Sequence, residues 1–172
     1  MIGCVVWFTG LPSSGKTTLA EAVRQRIGRG SCVLDSDRVR AALIPEPGYD
    51  EVSRADFYTS LANLAAMLAR QDLIALVPAT ANRRQFRDYA REVAPAFIEV
   101  YVATPAGVCA TRDDKGLWAS SDARVELPGA GVDYEVPTSP DVIASGGHDS
   151  AAIDKIFELL WAERQAGLSL AE

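Results

Sequence analysis

The chain has 172 residues, of which 48% are hydrophobic and 23% are charged, and its formal net charge at pH 7 is −6. This length and composition predict a single domain over residues 1–172, and they exclude an intrinsically disordered chain. The acidic balance, without a cluster of Lys and Arg, argues against a nucleic-acid partner. No apolar run in the sequence is long enough for a membrane span, and we expect a cytoplasmic protein.

Strand-like and helix-like segments alternate along the chain, which is the pattern of a parallel β-sheet with helices on both faces. Short apolar runs predict strands at residues 4–8, 32–34, 73–77, 97–102 and 142–144. Apolar residues at helical spacing predict helices from residue 16 to the glycines at 28–30, around 39–43, and over 57–68, about 82–93, about 104–113 and 153–161. Thr104 is the expected N-cap of its helix. The predicted class is α/β, with a mostly parallel sheet of about five strands in a three-layer sandwich.

Few side chains in the sequence could form a metal centre or a nucleophilic triad. Cys4, Cys32 and Cys109 lie far apart among apolar neighbours, and we expect reduced, buried thiols. The one histidine, His148, is expected to be an ordinary surface residue of a Gly-rich turn.

The segment between residues 114 and 140 shows no regular period, and glycines and prolines interrupt it. A long irregular segment inside a compact domain usually has a function. We predict a lid over about residues 114–139.

A phosphate-binding motif follows the first predicted strand and precedes the first predicted helix. Lys16 is predicted to contact the β- and γ-phosphates of ATP, and the hydroxyl of Thr17 to ligate Mg²⁺. Glycines let such a loop curl so that its N–H groups point at a phosphate, at the positive end of a helix dipole. The flanking strand and helix favour a P-loop over a chance match, and hence the fold of the P-loop nucleoside-triphosphate hydrolases. The motif G-x-x-x-x-G-K-[ST] is matched by Gly10, Leu11, Pro12, Ser13, Ser14, Gly15, Lys16 and Thr17, and Thr18 follows it.

Two carboxylates, Asp35 and Asp37, follow the second predicted strand. Ligands of open α/β sheets bind at this carboxyl edge. A kinase needs a carboxylate there to orient and deprotonate the acceptor hydroxyl and to support the Mg²⁺ site. For Asp35 we favour this role, whereas Asp37, or Ser36, could equally be the N-cap of the following helix.

These residues, together with further segments of the chain, resemble the adenylyl-sulfate kinase family of P-loop kinases. The stretch Lys115-Gly116-Leu117-Trp118, in front of the predicted lid, is the most distinctive. The resemblance implies a kinase that uses ATP and Mg²⁺ to phosphorylate the 3′-hydroxyl of adenylyl sulfate. The matching segments run from the first strand to the last helix and include residues 10–18, 34–40, 48–49, 54, 97–105, 112–118 and 133–137.

The same resemblance implies roles for individual residues. Asp35 is the implied general base and, with Thr17, part of the Mg²⁺ site, while Asp37 belongs to the network around acceptor and metal. By the same resemblance, Arg40 and Arg54 bind the phosphate or sulfate of the acceptor, and Tyr49 stacks on its base. Lys115 is implied to close over the phosphates, and Arg112 to contact the adenine of ATP.

The chain also departs from the family pattern, mainly on the acceptor side. Phe57 stands where the family has an Asn that hydrogen-bonds the acceptor, and residues 80–82 read Thr-Ala-Asn in place of Ile-Ser-Pro. Arg38 replaces an Asn, and Ala119 and Ser120 stand where the lid usually has a second basic residue. The ATP half of the site therefore matches the family, and the acceptor half matches only in part.

Two alternatives stay open. One is a related kinase that phosphorylates a different small anionic hydroxyl compound, with a nucleotide favoured because Arg40, Tyr49 and Arg54 are present. The other is a nucleotide-binding module without catalysis, against which Lys16, Thr17 and Asp35 argue. The sequence does not decide the oligomeric state, and a homodimer is among the open possibilities.

Overall fold

A computed structural model of the chain describes residues 3–113, 116, 118–119 and 127–169, with backbone alone for residues 163–169. In this described part, every strand of the one sheet pairs in parallel. The strands are β1 (Cys4–Thr9), β2 (Ser31–Val33), β3 (Ile74–Pro78), β4 (Phe97–Val102) and β5 (Val142–Ala144). Their order across the sheet is β2-β3-β1-β4-β5. The predicted parallel sheet of about five strands is confirmed, and β1 lies at its centre.

Helices cover both faces of the sheet, which confirms the predicted three-layer sandwich. They are α1 (Lys16–Ile27), α2 (Ser36–Ala42), α3 (Glu51–Ala69), α4 (Arg84–Val93), α5 (Ala106–Thr111) and α6 (Ser150–Ser169). Among the described residues, no helix combines the length and the apolar character that crossing a bilayer requires.

The two hydrophobic cores meet at β1. Side chains alternate between the faces of a strand, so Val6 and Phe8 enter the core formed with α1 and α6. Val5 and Trp7 enter the core formed with α3 and α4. All four side chains are at most 1% exposed, which makes β1 the fixed base from which the next loop starts.

The cap of α2 differs from the prediction. Neither Ser36 nor Asp37 caps this helix, because Asp35 does. Its Oδ1 accepts hydrogen bonds from the backbone N–H groups of Asp37 at 3.1 Å and Arg38 at 3.2 Å. The carboxylate expected to act in chemistry therefore also starts the helix.

The start of α5 differs as well. The hydroxyl of Thr104 does not cap the helix but donates to the carbonyl oxygens of Ser14 at 2.8 Å and Ser145 at 3.3 Å. Pro105 occupies the N-cap position, without a side-chain hydrogen bond. Thr104 instead ties the loop after β1 to the end of β5.

The described end of the predicted lid is held by the core. The side-chain amide of Asn82 donates to the carbonyl of Asp133 at 3.1 Å, and the carbonyl of Asn82 accepts from the N–H of Glu135 at 2.8 Å. The hydroxyl of Tyr134 lies 2.9 Å from that of Thr9, in a hydrogen bond. Residues 133–135 of the predicted lid are thus tied to the sheet and to the loop after β3, and its residues 114–115, 117 and 120–126 lie outside the described residues.

Arg87 of α4 joins four parts of the fold through one buried guanidinium. Its Nε donates to Glu99 of β4 at 2.9 Å, and the two side chains are 2% and 11% exposed. Its Nη1 and Nη2 donate to the carbonyl oxygens of Ala81 at 2.5 Å and Glu135 at 2.6 Å. The loop after β3 and the C-terminal part of the predicted lid are thereby fixed to the same cation.

The buried pair predicts a large stability effect for Glu99→Gln. This change keeps the size of the side chain but leaves the buried Arg87 cation without its carboxylate, so we expect the free energy of unfolding to fall by about 3–5 kcal/mol. Glu158→Gln is a matched control, because it breaks an exposed pair with Lys155 at 3.0 Å and should change stability by less than about 1 kcal/mol. Urea denaturation measures both, and equal effects would contradict a structural role for the pair.

Candidate active site

A cleft of about 1060 Å³ lies at the carboxyl edge of the sheet, where open α/β folds bind ligands. Of the predicted site residues, Gly10, Leu11 and Ser14 belong to the loop around the cleft but not to its lining. Lys115 lies outside the described residues. The other predicted residues all line this one cleft: Pro12, Ser13, Gly15, Lys16, Thr17, Thr18, Asp35, Asp37, Arg40, Tyr49, Arg54, Phe57 and Arg112.

The glycines of the loop after β1 are required by close backbone contacts. A Cβ on Gly10 would lie 2.5 Å from the carbonyl oxygen of Val102. Gly15 has φ +99°, and a Cβ there would lie 2.6 Å from the backbone nitrogen of Gly147. Only glycine fits at these positions, so the loop can curl tightly against β4 and the turn after β5.

The same loop presents donors to the cleft. Gly15 is the N-cap of α1 and supplies no side-chain hydrogen bond to its first turn. The first N–H groups of a helix carry partial positive charge and suit an anion such as phosphate. The ammonium of Lys16 donates to the carbonyl oxygens of Gly10 at 3.0 Å and Leu11 at 2.6 Å, which folds it back over the loop.

Asp35 connects the loop to α2. Its Oδ2 accepts a hydrogen bond from the hydroxyl of Thr17 at 2.7 Å, while its Oδ1 caps α2. Asp35 is 6% exposed, whereas Asp37, two residues later, is exposed at the cleft. A hydroxyl and a carboxylate oxygen in direct contact are the donor types that Mg²⁺ prefers, so Thr17 and Asp35 would suit this cation.

The other side of the cleft is built around Arg40 of α2, which is 4% exposed. Its guanidinium carbon lies 3.9 Å from the ring centroid of Phe57 and 4.5 Å from that of Tyr49. Arg54 is also buried and lines the same wall. This side therefore combines two cations with two aromatic rings, a chemistry suited to an anion attached to a planar base.

The cleft lining also includes residues to which the sequence assigned no site role, among them Tyr58, Thr80 and His148. Burial raises the pKa of Tyr58, so its phenol stays protonated. The helical spacing of α3 makes Tyr58 look like core, and no sequence signal separates the two roles. His148 is exposed as predicted, yet the turn before it approaches Gly15 closely enough to bring it to the cleft.

Trp118 links the distinctive stretch before the predicted lid to the phosphate loop. Its indole Nε1 donates to the carbonyl oxygen of Pro12 at 3.3 Å. The carboxylate of Asp113 accepts from the backbone N–H groups of Trp118 at 2.6 Å and Ala119 at 3.0 Å. The aromatic residue of this stretch is thus part of the wall that supports the P-loop.

Comparisons with known proteins agree with this geometry. The family model described as Adenylylsulphate kinase matches residues 2–145. A curated adenylyl-sulfate kinase of Synechococcus sp. (strain JA-2-3B'a(2-13)) is 37% identical over 165 residues, covering 92% of this chain and 94% of the relative. One of Aeromonas salmonicida (strain A449) is 35% identical over 169 residues, covering 94% and 85%. The solved Mycobacterium tuberculosis APS kinase in complex with AMPPNP and APS has a TM-score of 0.84 at 32% identity, covering 92% of this chain and 97% of that one.

The close contact at Gly15 predicts that Gly15→Ala weakens ATP binding by tenfold or more, a loss of roughly 1.4 kcal/mol or more. The new Cβ would overlap the backbone of Gly147. The loop would then have to move, and a displacement of about an ångström would remove its contacts to the phosphates. Gly28→Ala is the control, because Gly28 also has positive φ, +72°, but nothing lies within 4 Å of its Cβ position. Calorimetric titration with ATP measures both variants. Equal ATP affinity in the two would contradict the role assigned to Gly15.

Proposed function

Because this chain belongs to the adenylylsulphate kinase family, it is an ATP-dependent kinase, and we propose that its acceptor is adenylyl sulfate, phosphorylated at the 3′-hydroxyl. The observation that carries the proposal is the pairing of two different walls in one cleft. The P-loop with Lys16 forms one wall, and the buried Arg40 and Arg54 with Tyr49 form the other. The first suits a triphosphate, and the second suits a nucleotide with a further anionic group.

Lys16 supports the transfer by meeting the charge that develops on the phosphoryl oxygens. At present its ammonium donates to two carbonyl oxygens, among other contacts. A phosphate oxygen is a stronger acceptor, because it adds the attraction between opposite charges. The acceptor oxygen bonds to the γ-phosphorus as the bond from that phosphorus to the bridging oxygen of ADP breaks. Lys16 and the first N–H groups of α1 are already in place for that charge.

Asp37 is the residue to which we assign the proton of the acceptor hydroxyl. The resemblance implies Asp35 for this role, but both oxygens of Asp35 are used, one by the start of α2 and one by Thr17. Asp37 lies in the first turn of the same helix and is exposed at the cleft. Thr17 and Asp35 would then hold Mg²⁺, which neutralises phosphate charge when bound with ATP.

Closure over the reacting groups completes the proposal. A kinase must keep water from the γ-phosphate, and we propose that Lys115 and the residues up to about 132 form the lid that does so. Trp118 and Asp133 frame this segment with fixed contacts to Pro12 and Asn82. A cytoplasmic location is also proposed, because ATP is the donor and the cysteines are free thiols.

Transfer of label from γ-labelled ATP tests the acceptor directly. We expect a labelled 3′-phosphate on adenylyl sulfate, and little label on adenosine 5′-phosphate or on anionic hydroxyl compounds without a base. Lys16→Ala should lower the rate by on the order of 10²-fold or more, because it removes a preorganised charge. Label on another acceptor and none on adenylyl sulfate would contradict the acceptor but keep the kinase. ATP binding without transfer to any acceptor would favour the non-catalytic alternative.

A paired substitution separates the roles of the two carboxylates. Asp37→Asn should lower kcat by roughly 10²- to 10⁴-fold with ATP affinity kept, because it removes only the proton acceptor. Asp35→Asn can still cap α2, so its main effect should be weaker binding of ATP in the presence of Mg²⁺. Steady-state kinetics and calorimetry measure both. If Asp35→Asn lowered kcat alone, and Asp37→Asn did not, Asp35 would be the base.

A further inference from the structure

Arg40 carries a buried positive charge that is held by carbonyl groups and aromatic rings. It is 4% exposed, and its side chain contacts backbone carbonyl oxygens and two aromatic rings. Its Nη1 donates to the carbonyl oxygens of Pro47 at 3.0 Å and Gly48 at 2.7 Å. A buried charge without a counter-ion is unfavourable unless other groups stabilise it.

Aromatic rings provide much of that stabilisation. Phe57 is 2% exposed, and its ring centroid lies 3.9 Å from the guanidinium carbon of Arg40, closer than the 4.5 Å to Tyr49. A cation is attracted to the electron-rich face of an aromatic ring, and the attraction strengthens when both are out of water. The Asn that the family has at this position could not supply such a face.

The contact also fixes the residues that form the cleft wall. Arg40 holds the backbone at residues 47–48, and Tyr49 follows directly, with its side chain 48% exposed at the cleft. Loss of the Phe57 ring would therefore loosen the cation and the backbone before Tyr49 together. The P-loop makes none of these contacts, so the ATP side should be unaffected.

We propose that Phe57 is a positioning residue of the acceptor site, which holds the guanidinium of Arg40 so that the anionic group of a nucleotide acceptor meets a fixed cation. The inference rests on the proposed function for the identity of the acceptor. Phe57 then replaces a direct hydrogen bond to the acceptor by preorganisation of Arg40, and the acceptor is recognised by its charge and its base.

Kinetics of Phe57→Leu with adenylyl sulfate and ATP test this inference. The KM for adenylyl sulfate should rise roughly two- to thirtyfold, the range of a partly to fully desolvated cation–π contact. The KM for ATP should stay within about twofold, because the P-loop is untouched. In an Arg40→Met background, Phe57→Leu should raise the KM no further, since the contact is already lost. Phe57→Met, which fills more of the space, serves if the Leu variant does not fold.

Trifluorinated phenylalanine at position 57 separates the electrostatic role from simple packing. Fluorine weakens the negative face of the ring with little change of shape, so the KM for adenylyl sulfate should rise toward that of Phe57→Leu. Phe157→Leu is the matched control, because it removes an Arg–Phe contact of 4.4 Å to Arg26 that is not part of the cleft lining. It should leave both KM values unchanged, and thermal unfolding verifies that each variant is folded.

The outcomes distinguish the inference from the proposed function. No turnover of adenylyl sulfate by the unaltered protein would overturn the acceptor, and the inference with it. Normal turnover with an unchanged KM in folded Phe57→Leu, or with equal rises in both KM values, would overturn the inference alone. Additive effects of Phe57→Leu and Arg40→Met would also overturn it, because they would show that the two residues act separately.

Discussion

The carboxylate of Asp35 is the contact on which both halves of the cleft depend. One oxygen accepts the N–H groups that begin α2, and the other accepts the hydroxyl of Thr17 in the P-loop. Because α2 also carries Asp37 and Arg40, the distance between the phosphate loop and the acceptor wall is set through this single buried group. A kinase needs that spacing to be fixed, since the reacting atoms must approach to about 3–3.5 Å in line.

Buried cations are handled in two different ways in this fold. Arg87 is neutralised by Glu99 and hydrogen-bonded to two carbonyl groups, so it connects the sheet, α4 and the C-terminal part of the predicted lid. Arg40 is stabilised by rings and carbonyls and keeps its charge beside the cleft. The charge of Arg87 is already neutralised, so a ligand would add no stabilisation there. The charge of Arg40 becomes more favourable when an anion binds beside it.

Sequence predicted what is local and missed what depends on contacts between distant segments. The strands, the helices and the P-loop follow from short apolar runs and from glycines next to Lys16, and the structure has them where expected. The sequence does not reveal that Asp35 caps α2, because Ser36 and Asp37, directly after it, are also residue types that cap helices. Thr104 resembles a cap but bonds to Ser14, ninety positions away. No spacing rule predicts that Phe57 of α3 lies against a cation of α2.

The ATP side of the cleft matches the family more closely than the acceptor side does, and the chemistry of phosphoryl transfer explains the difference. Phosphoryl transfer needs charge and backbone N–H groups around the phosphates, and substitution there removes the reaction itself. The acceptor wall has only to hold a molecule in place, and different contacts can do so. Asn82, where the family has Pro, shows such a change: its amide donates to Asp133, while its Oδ1 is buried without a partner among the described residues. That unpaired oxygen is unfavourable, and the hydrogen bonds of Asn82 to Asp133 and Glu135 offset part of its cost.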